Sequence, residues 1–212
     1  MNGSGSMMSC PFALGAALLG AGRSRRMGRP KLLLPWQGTS VLGHLVAQWE
    51  AVGAGQIAIV CAAGDRAIQV ELDRLAFPAA HRIFNPAPDR GMLSSIQCAA
   101  QWPAWQSALT HFAIVLGDQP HLRPATLHAL LRFSAAHPAQ VTQPSRAGRP
   151  RHPVFLPRTA FLDLAQSQAG HLKEFLASCH TATCELDDPG LDLDLDCPAD
   201  YEKATGQIGH SR

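Results

Sequence analysis

Short apolar runs alternate with amphipathic stretches over much of this chain, and this alternation limits the folds open to it. The runs are FALGAALL at 12–19, QIAIVCA at 56–62, HRIF at 81–84 and HFAIVLG at 111–117. Runs of this length, apolar on both faces, are typical of central parallel strands that helices cover on each side. We therefore expect buried strands at these four positions.

Helical periodicity fills the segments between the runs. Apolar residues recur at spacings of one, three and four from Val41 to Trp49, and Gly53 supplies a stop. Similar stripes occur at Ile68, Leu72 and Leu75, at Met92, Ile96 and Ala99, and at Leu127, Leu130 and Leu131. This order predicts a single-domain, three-layer α/β/α fold with a Rossmann-like, mostly parallel sheet. Such sheets bind ligands beyond the carboxyl ends of their strands, so we expect functional residues directly after strands.

Length and composition favour one domain. The chain has 212 residues, of which 46% are hydrophobic, enough to bury one substantial core. We expect a disordered lead-in at 1–10, a domain at 11–206 and a tail at 207–212. After residue 138 the pattern loosens, without a linker long enough to separate a second domain.

Charge, cysteine spacing and the N-terminal segment exclude several classes of protein. A net charge of +2 gives no reason to expect a nucleic-acid or membrane partner. The six cysteines contain no Cys-x-x-Cys pair, which argues against a zinc ribbon or thioredoxin motif and favours buried thiols in a reducing compartment. No positive charge precedes the apolar run at 12–19, contrary to the order in a secretory signal, so we predict a cytoplasmic protein.

The loop GAGRSRRMGRPK follows the first predicted strand. It lacks the third glycine of the G-x-G-x-x-G fingerprint, and five residues separate Gly22 from Gly28 where the Walker pattern has four. Its glycines can still bring backbone N–H groups close to a phosphate chain, while its arginines and lysine neutralise the charge. A solvated basic turn is the alternative, but the position after a buried strand favours an anion site.

The stretch LGAGRSRRMGRPKLLLP resembles the signature L-A-A-G-x-S-x-R-M-G-x-x-K-L-L-L-P of the MobA-like NTP transferases, particularly the molybdenum cofactor cytidylyltransferase branch. It departs from that branch at Gly20, where alanine is usual. The resemblance implies that the loop wraps a nucleoside triphosphate and that Arg26 and Lys31 are catalytic. The implied nucleotide-binding residues are Gly20, Ala21, Gly22, Arg23, Ser24, Arg26 and Lys31. Ala21 stands where the guanylyltransferase branch more often has glycine, which favours CTP.

Two acidic stretches resemble further parts of this family. LGDQP resembles L-A-D-Q-P, which implies that Asp118 is catalytic and binds Mg²⁺, and DLDLDCPADY resembles D-I-D-T-P-x-D-Y, which implies Asp194 as a second metal residue. Taken without the family, an aspartate after a strand is most often a helix cap or turn former. The alternating aspartates would share one face of a strand, and a solvated edge strand explains them equally well.

Two more segments imply an acceptor site. NPAPDRGMLSSIQCA resembles the family's N-x-x-x-x-x-G-M-x-x-S-L, which implies Gly91, Ser94 and Ser95. RPRHPVF resembles R-G-H-P-V-L-F, which implies His152 with Arg151 or its neighbour Arg149. An ordinary helix cap and a structural histidine are the alternatives. The family's G-D-x-G-A-R reads SQAGHL here, so Gln168 and Leu172 replace its acidic and basic residues.

The resemblance implies Mg²⁺-dependent transfer of a cytidylyl group from CTP to molybdopterin cofactor, with release of pyrophosphate and delivery of the product to a molybdoenzyme. GTP as donor or a different acceptor stays open within the same fold. A non-catalytic protein that holds finished cofactor for a molybdoenzyme is a further alternative. The last alternative is an α/β domain whose basic loop binds no ligand.

Overall fold

The computed structural model describes residues 12–22 and 24–209; the expected lead-in at 1–10 and Arg23 lie outside them. The strands are β1 (Leu14–Leu19), β2 (Pro35–Trp36), β3 (Thr39–Ser40), β4 (Gln56–Ala62), β5 (Arg82–Asn85), β6 (His111–Leu116), β7 (Val141–Arg146), β8 (Arg149–Pro150), β9 (Val154–Pro157) and β10 (Thr181–Glu185). The helices are α1 (Val41–Ala51), α2 (Arg66–Arg74), α3 (Met92–Gln101), α4 (Pro124–Ala136), α5 (Arg158–Leu164), α6 (Leu172–Ala177) and α7 (Pro198–Gly209). Short 3₁₀ turns lie at Arg25–Met27, Lys31–Leu33, Ala79–His81, Pro88–Arg90 and Pro189–Asp192.

One mixed sheet forms the centre of the molecule, with strand order β10-β7-β9-β6-β1-β4-β5 and β8 paired to β7. The strands β6, β1, β4 and β5 run parallel, as expected from the four apolar runs. At the other end β9 runs antiparallel to β6 and β7, and β10 runs parallel to β7. The prediction of a mostly parallel sheet is therefore confirmed.

Helices cover both faces of the sheet. On one face α1, α2, α4 and α7 pack in a cluster that includes the fully buried Leu42, Trp49 and Ile68. On the other face α3, α5 and α6 pack around residues such as Ile96 and Phe161. Burial of both faces explains why the central strands read as continuous apolar runs.

The chain changes direction beside β1. It leaves β1 through α1 toward β4 and β5, then returns through α3 to β6 on the other side of β1. The helices α1 and α3 lie on opposite faces of the sheet, and the loops after β1 and β6 border a crevice at this point. A crevice at such a switch point is where open α/β sheets bind ligands.

The structure also describes the state of the cysteines and tests for membrane-spanning helices. The five cysteines among the described residues are unpaired, but only Cys61 is buried; contrary to the expectation of buried thiols, the other four, Cys98, Cys179, Cys184 and Cys197, are only partly buried, and Cys10 lies outside those residues. Within the ranges 12–22 and 24–209, no helix is long and apolar enough to cross a lipid bilayer.

Candidate active site

A pocket of about 300 Å³ lies in the crevice between the loops after β1 and β6. Its lining combines the glycine loop, the start of α3 and the end of β6. The lining residues are Leu19, Gly20, Ala21, Gly22, Lys31, Leu32, Pro88, Gly91, Met92, Ser95, Leu116, Gly117 and Asp118. The pocket therefore brings together residues expected to bind the nucleotide, the metal and the acceptor.

Backbone contacts hold the loop after β1 against the sheet. The Gly20 N–H donates to the Val60 carbonyl of β4 at 2.8 Å, which carries the loop one residue beyond β1. Further along, the Lys31 N–H donates to Ser24 Oγ at 3.1 Å and closes the loop on itself. A methyl group on Gly22 would meet nothing within 4 Å, so the backbone there lies beside open space.

Gly117 lets the two loops approach each other. A Cβ at this position would lie 2.9 Å from the Leu19 carbonyl oxygen and 2.9 Å from Leu32 Cδ2. Both distances are shorter than real Cβ contacts allow, so only glycine brings β6 this close to the glycine loop. Asp118 follows directly and reaches Lys31 for this reason.

Lys31 joins the basic loop to two carboxylates. Its Nζ lies 2.7 Å from Asp118 Oδ2 and 3.6 Å from Asp196 Oδ1. The Asp118 and Lys31 side chains are only 19% and 16% exposed, so this pair is shielded from water. Arg26 lies further out and pairs with Asp196 Oδ2 at 2.8 Å.

Asp194 lies close to Asp118 but is held differently. Gln119 Nε2 donates to Asp194 Oδ1 at 2.8 Å. Burial and the nearby Asp118 charge raise the pKa of Asp194 above its ordinary value, against the lowering effect of the Gln119 hydrogen bond. Asp118 Oδ1 is buried without a hydrogen-bond partner. Two carboxylates that repel each other, one with an unpartnered buried oxygen, form a place where a cation would be favoured.

The segment that carries Asp194 is attached both to the loop after β6 and to α4. The Leu195 N–H donates to the Asp118 carbonyl at 3.0 Å. His121 Nε2 lies 3.0 Å from the Gly190 carbonyl, in the 3₁₀ turn Pro189–Asp192. The buried Asp188 accepts from the Thr126 hydroxyl at 2.6 Å. These contacts place Asp194 beside Asp118. In the chain Asp194 lies 75 residues after Gln119, the neighbour of Asp118.

The three alternating aspartates do not form a strand. Residues 193–197 belong to neither a helix nor a strand, and the three carboxylates meet different partners. Asp192 accepts from Arg146 and Arg151, Asp194 from Gln119, and Asp196 pairs with Arg26 and Lys31. Gln119, Asp192 and Asp196 contact the site although no role was expected for them from the sequence. The alternating acidic pattern pointed to the two aspartates, and Gln119 matches the glutamine of L-A-D-Q-P, although the resemblance implied no role for it.

On the expected acceptor side, Gly91 and Ser95 line the pocket, whereas Ser94 is turned into the fold. Gly91 has a φ of 90°, which favours glycine, and it precedes α3. The buried Asn85 donates through Nδ2 to both serine hydroxyls, at 2.8 Å and 2.9 Å. Ser94 in turn donates to the Gly91 carbonyl at 2.7 Å. Asn85 therefore fixes the turn that presents Gly91 and Ser95.

Arg151 and His152 are not among the residues that line the pocket. Arg151 donates through Nε and one terminal nitrogen to Asp192 Oδ1, at 2.8 Å and 2.6 Å. Burial lowers the pKa of His152 to about 4, while the Asp118 charge and the Ile114 carbonyl act in the opposite direction. His152 is therefore neutral at ordinary pH, and its buried Nδ1 has no hydrogen-bond partner.

The donor atoms suit a hard divalent cation that is only partly coordinated by protein. Among the described residues, no group of three or more His, Cys, Asp or Glu side chains is arranged to hold a metal ion by itself. Mg²⁺, however, is usually bound through one or two carboxylates together with waters and substrate phosphates. Asp118 and Asp194 could supply such a pair, and the unpartnered Asp118 oxygen fits this role.

A glycine loop, two cations and two carboxylates at the switch point of an α/β sheet are the features of a protein that handles a nucleotide's phosphates. The sequence matches the family of the MobA-like NTP transferase domain over residues 16–183. The chain belongs to this family and is a nucleotidyltransferase.

Two curated relatives are similar over most of the chain. The molybdenum cofactor cytidylyltransferase of Escherichia coli K12 is 23% identical, over 89% of this chain and 94% of the relative. The molybdenum cofactor guanylyltransferase of Rhizobium johnstonii is 30% identical, over 77% of this chain and 74% of the relative.

Solved structures support the fold. A Methanothermobacter nucleotidyl transferase superposes with a TM-score of 0.75 at 22% identity, covering 94% of this chain and 99% of that one. A Mycobacterium tuberculosis H37Rv protein solved in complex with manganese has a TM-score of 0.67 at 23% identity, covering 92% and 98%.

Proposed function

We propose that this enzyme transfers a cytidylyl group from CTP to molybdopterin cofactor and releases pyrophosphate, with Mg²⁺ as the divalent ion. The observation that carries the proposal is the contact between Lys31 and Asp118, which both line the pocket formed with the glycine loop and lie next to Asp194. This arrangement combines backbone donors, a shielded ammonium and two carboxylates within one crevice. A triphosphate with its cation needs these groups together.

In this proposal the loop after β1 binds the triphosphate. Gly20, Ala21 and Gly22 present backbone to the pocket, and Lys31 neutralises the phosphate oxygens from its shielded position. Arg26 lies further out, where pyrophosphate would leave. Charge builds up on the departing pyrophosphate, so fixed cations stabilise the transition state more than the ground state. Arg23 and Ser24 complete the proposed nucleotide-binding set.

Asp118 and Asp194 would hold the Mg²⁺ ion. When bound, the ion supplies charge neutralisation on the phosphates of the nucleotide. The two side chains contribute oxygen ligands, and Gln119 and the Leu195 N–H keep them side by side. The manganese complex of the M. tuberculosis neighbour is consistent with a divalent-metal site in this fold.

The acceptor would approach from the side of α3 and β8. We assign Gly91, Ser94, Ser95, Arg151 and His152 to this region. A phosphate oxygen of the acceptor would attack the α-phosphorus in line, so the enzyme's work is positioning and charge stabilisation. Arg151 would have to share or leave Asp192 to reach an anionic acceptor. The product would then pass to a molybdoenzyme.

CTP is the proposed donor because Ala21 matches the cytidylyltransferase branch, and the relative from E. coli bears that name. The second candidate is GTP, because the R. johnstonii relative, at 30% identity, is named a guanylyltransferase. A direct comparison of the two nucleotides decides between them.

The first experiment is thermal unfolding of the full chain with Mg²⁺ and, separately, CTP, GTP, ATP or UTP. A ligand that binds only the native state stabilises it by about 2.7 kcal/mol at 100 times its dissociation constant. We expect a shift that is largest for CTP and requires Mg²⁺. A larger shift with GTP would favour the second candidate, and no shift with any nucleotide would contradict both.

Catalysis is tested with molybdopterin cofactor and α-labelled CTP. We expect the label in a dinucleotide product, with stoichiometric pyrophosphate. A protein that only stores finished cofactor would bind this dinucleotide and release no pyrophosphate, which separates the enzyme from a carrier.

A further inference from the structure

Gln119 contacts the expected metal site from within the protein. Its side chain is buried, with the residue only 5% exposed, and it does not line the pocket. Its Nε2 reaches Asp194 Oδ1 at 2.8 Å. It therefore acts on any ligand through the Asp194 carboxylate, not by direct contact.

The three alternating aspartates show why it matters that the hydrogen-bond donor to Asp194 is the neutral amide of Gln119. Asp192 is paired with two arginines, and Asp196 with Arg26 and Lys31, so both carboxylates are neutralised by cations. Among the described residues, Asp194 has no cationic nitrogen within 4 Å and accepts instead from an amide. An amide fixes the direction of a carboxylate while leaving its negative charge available. A lysine or arginine at this place would compete with a metal ion.

The backbone around Asp194 also needs a side-chain anchor. Residues 193–197 belong to neither a helix nor a ladder, so regular structure does not set the direction of this side chain. The Leu195 N–H fixes the backbone to Asp118, and the Gln119 amide fixes the carboxylate. Gln119 follows Asp118 directly in the chain, so one short loop sets the positions of both acidic groups.

We propose that Gln119 is a positioning residue that orients the Asp194 carboxylate toward Asp118 and so assembles the two-carboxylate cation site. This inference rests on the proposed function, which assigns Asp118 and Asp194 to the metal. Residues that orient metal ligands in this way typically contribute about 10- to 100-fold in metal affinity.

The test measures the Mn²⁺ dissociation constant by titration calorimetry in the presence of saturating CTP. We compare wild type with Gln119→Met, which keeps the length of the side chain and removes the amide. We expect Mn²⁺ to bind the variant about 10- to 100-fold more weakly. Affinity for CTP without metal should be unchanged, and the KM for metal should rise more than kcat falls.

Gln48→Met is the matched control. Gln48 Nε2 donates to the Leu122 carbonyl at 2.8 Å. The change therefore removes a side-chain amide hydrogen bond to the same loop and leaves the contact with Asp194 intact. We expect the control to leave Mn²⁺ affinity at the wild-type value. Equal losses in the two variants would show a structural role for Gln119 and overturn the proposal.

A double-variant cycle provides the second test. If Gln119 acts through Asp194, then Gln119→Met has no further effect on Mn²⁺ affinity once Asp194→Asn is present. If Asp194→Asn weakens Mn²⁺ binding and Gln119→Met does not, the inference is wrong and the metal assignment stands. If Asp194→Asn has no effect, or wild type binds no Mn²⁺ with either CTP or GTP, the metal assignment itself is wrong and the inference falls with it. Should Gln119→Met not fold, Gln119→Asn, whose amide is too short to reach Asp194, replaces it with the same expected loss.

Discussion

The Lys31 ammonium lies 2.7 Å from Asp118 Oδ2, so the cation proposed for the phosphates is paired with the carboxylate proposed for the metal. Each of the two groups neutralises the charge of the other. Binding of a nucleotide with its metal would exchange this contact for two others, Lys31 to phosphate and Asp118 to the ion. Nucleotide and metal should therefore strengthen each other's binding.

Lys31→Met tests this exchange. Removal of the ammonium frees Asp118, so Mn²⁺ without nucleotide should bind more tightly, by roughly tenfold if one charged hydrogen bond is removed. CTP affinity should fall in the same variant because a phosphate partner is lost. Calorimetric titration of metal alone and of CTP alone measures both effects. Lys173→Met, on the exposed side of α6, is the control, and weaker binding of metal alone by Lys31→Met would contradict the exchange.

Asp118→Asn should remove activity and keep the fold. Turnover should decrease by roughly 100-fold or more, the size typical of losing one group that stabilises transition-state charge. The fold should persist because the two side chains have the same shape and Lys31 retains Asp196 at 3.6 Å. Pyrophosphate release and the unfolding temperature are measured on one preparation. Normal pyrophosphate release from a folded variant would refute the metal role of Asp118.

Two glycine substitutions should change different properties: Gly22→Ala should weaken CTP binding, and Gly117→Ala should lower stability. Gly22→Ala places a methyl group in open space, so stability should change by less than about 0.5 kcal/mol. CTP affinity should nevertheless fall by roughly tenfold because phosphate can no longer approach the backbone closely. Gly117→Ala forces contacts at 2.9 Å and should destabilise the protein by about 1–3 kcal/mol. Denaturant unfolding and CTP titration separate the two effects; unchanged CTP binding by Gly22→Ala would count against the proposed loop role.

His152 should make stability depend on pH. Its pKa is about 4 in the folded protein, below the ordinary value of 6.5, so the unfolded chain takes up the proton first. The contribution of the neutral ring is complete above its ordinary pKa and is lost as pH falls toward 4. Near pH 5 the loss should be about 2 kcal/mol. Denaturant unfolding at neutral and acidic pH should show a shallower pH dependence for His152→Gln, and His128→Gln, exposed on α4, should behave like wild type.

The parallel half of the sheet could be predicted from the sequence, whereas the antiparallel half could not. The strands β1, β4, β5 and β6 lie where the apolar runs occur because helices bury both of their faces. β7 contains the buried polar residues Thr142, Gln143 and Ser145, which break any apolar pattern. The Ser145 hydroxyl, for example, donates to Glu185, 40 residues further along the chain, at 2.5 Å. A pattern read along one segment does not contain such contacts.

The candidate site, like the sheet, could be predicted only in part from the sequence. Lys31 and Asp118 follow strands and meet because those strands are neighbours. The pairing of Arg151 with Asp192 depends on two segments that are 41 residues apart, and no local spacing shows it. Asp192, Asp194 and Asp196 were expected to share one face if they formed a strand. Instead, the absence of a strand leaves each of them free to turn to a different partner.

The attachment of residues 188–196 to the loop after β6 and to α4 also makes the proposed metal site depend on the segment that follows the last strand. The last strand of the main sheet ends at Glu185, and Asp194 and Asp196 follow it. A nascent or cleaved chain that ends at β10 would contain every strand and the whole glycine loop, yet only one of the two proposed metal carboxylates. Such a chain would also lack α7 and the buried Leu191, Leu193 and Leu195, so the same part of the chain completes both one face of the core and the proposed pair of metal carboxylates.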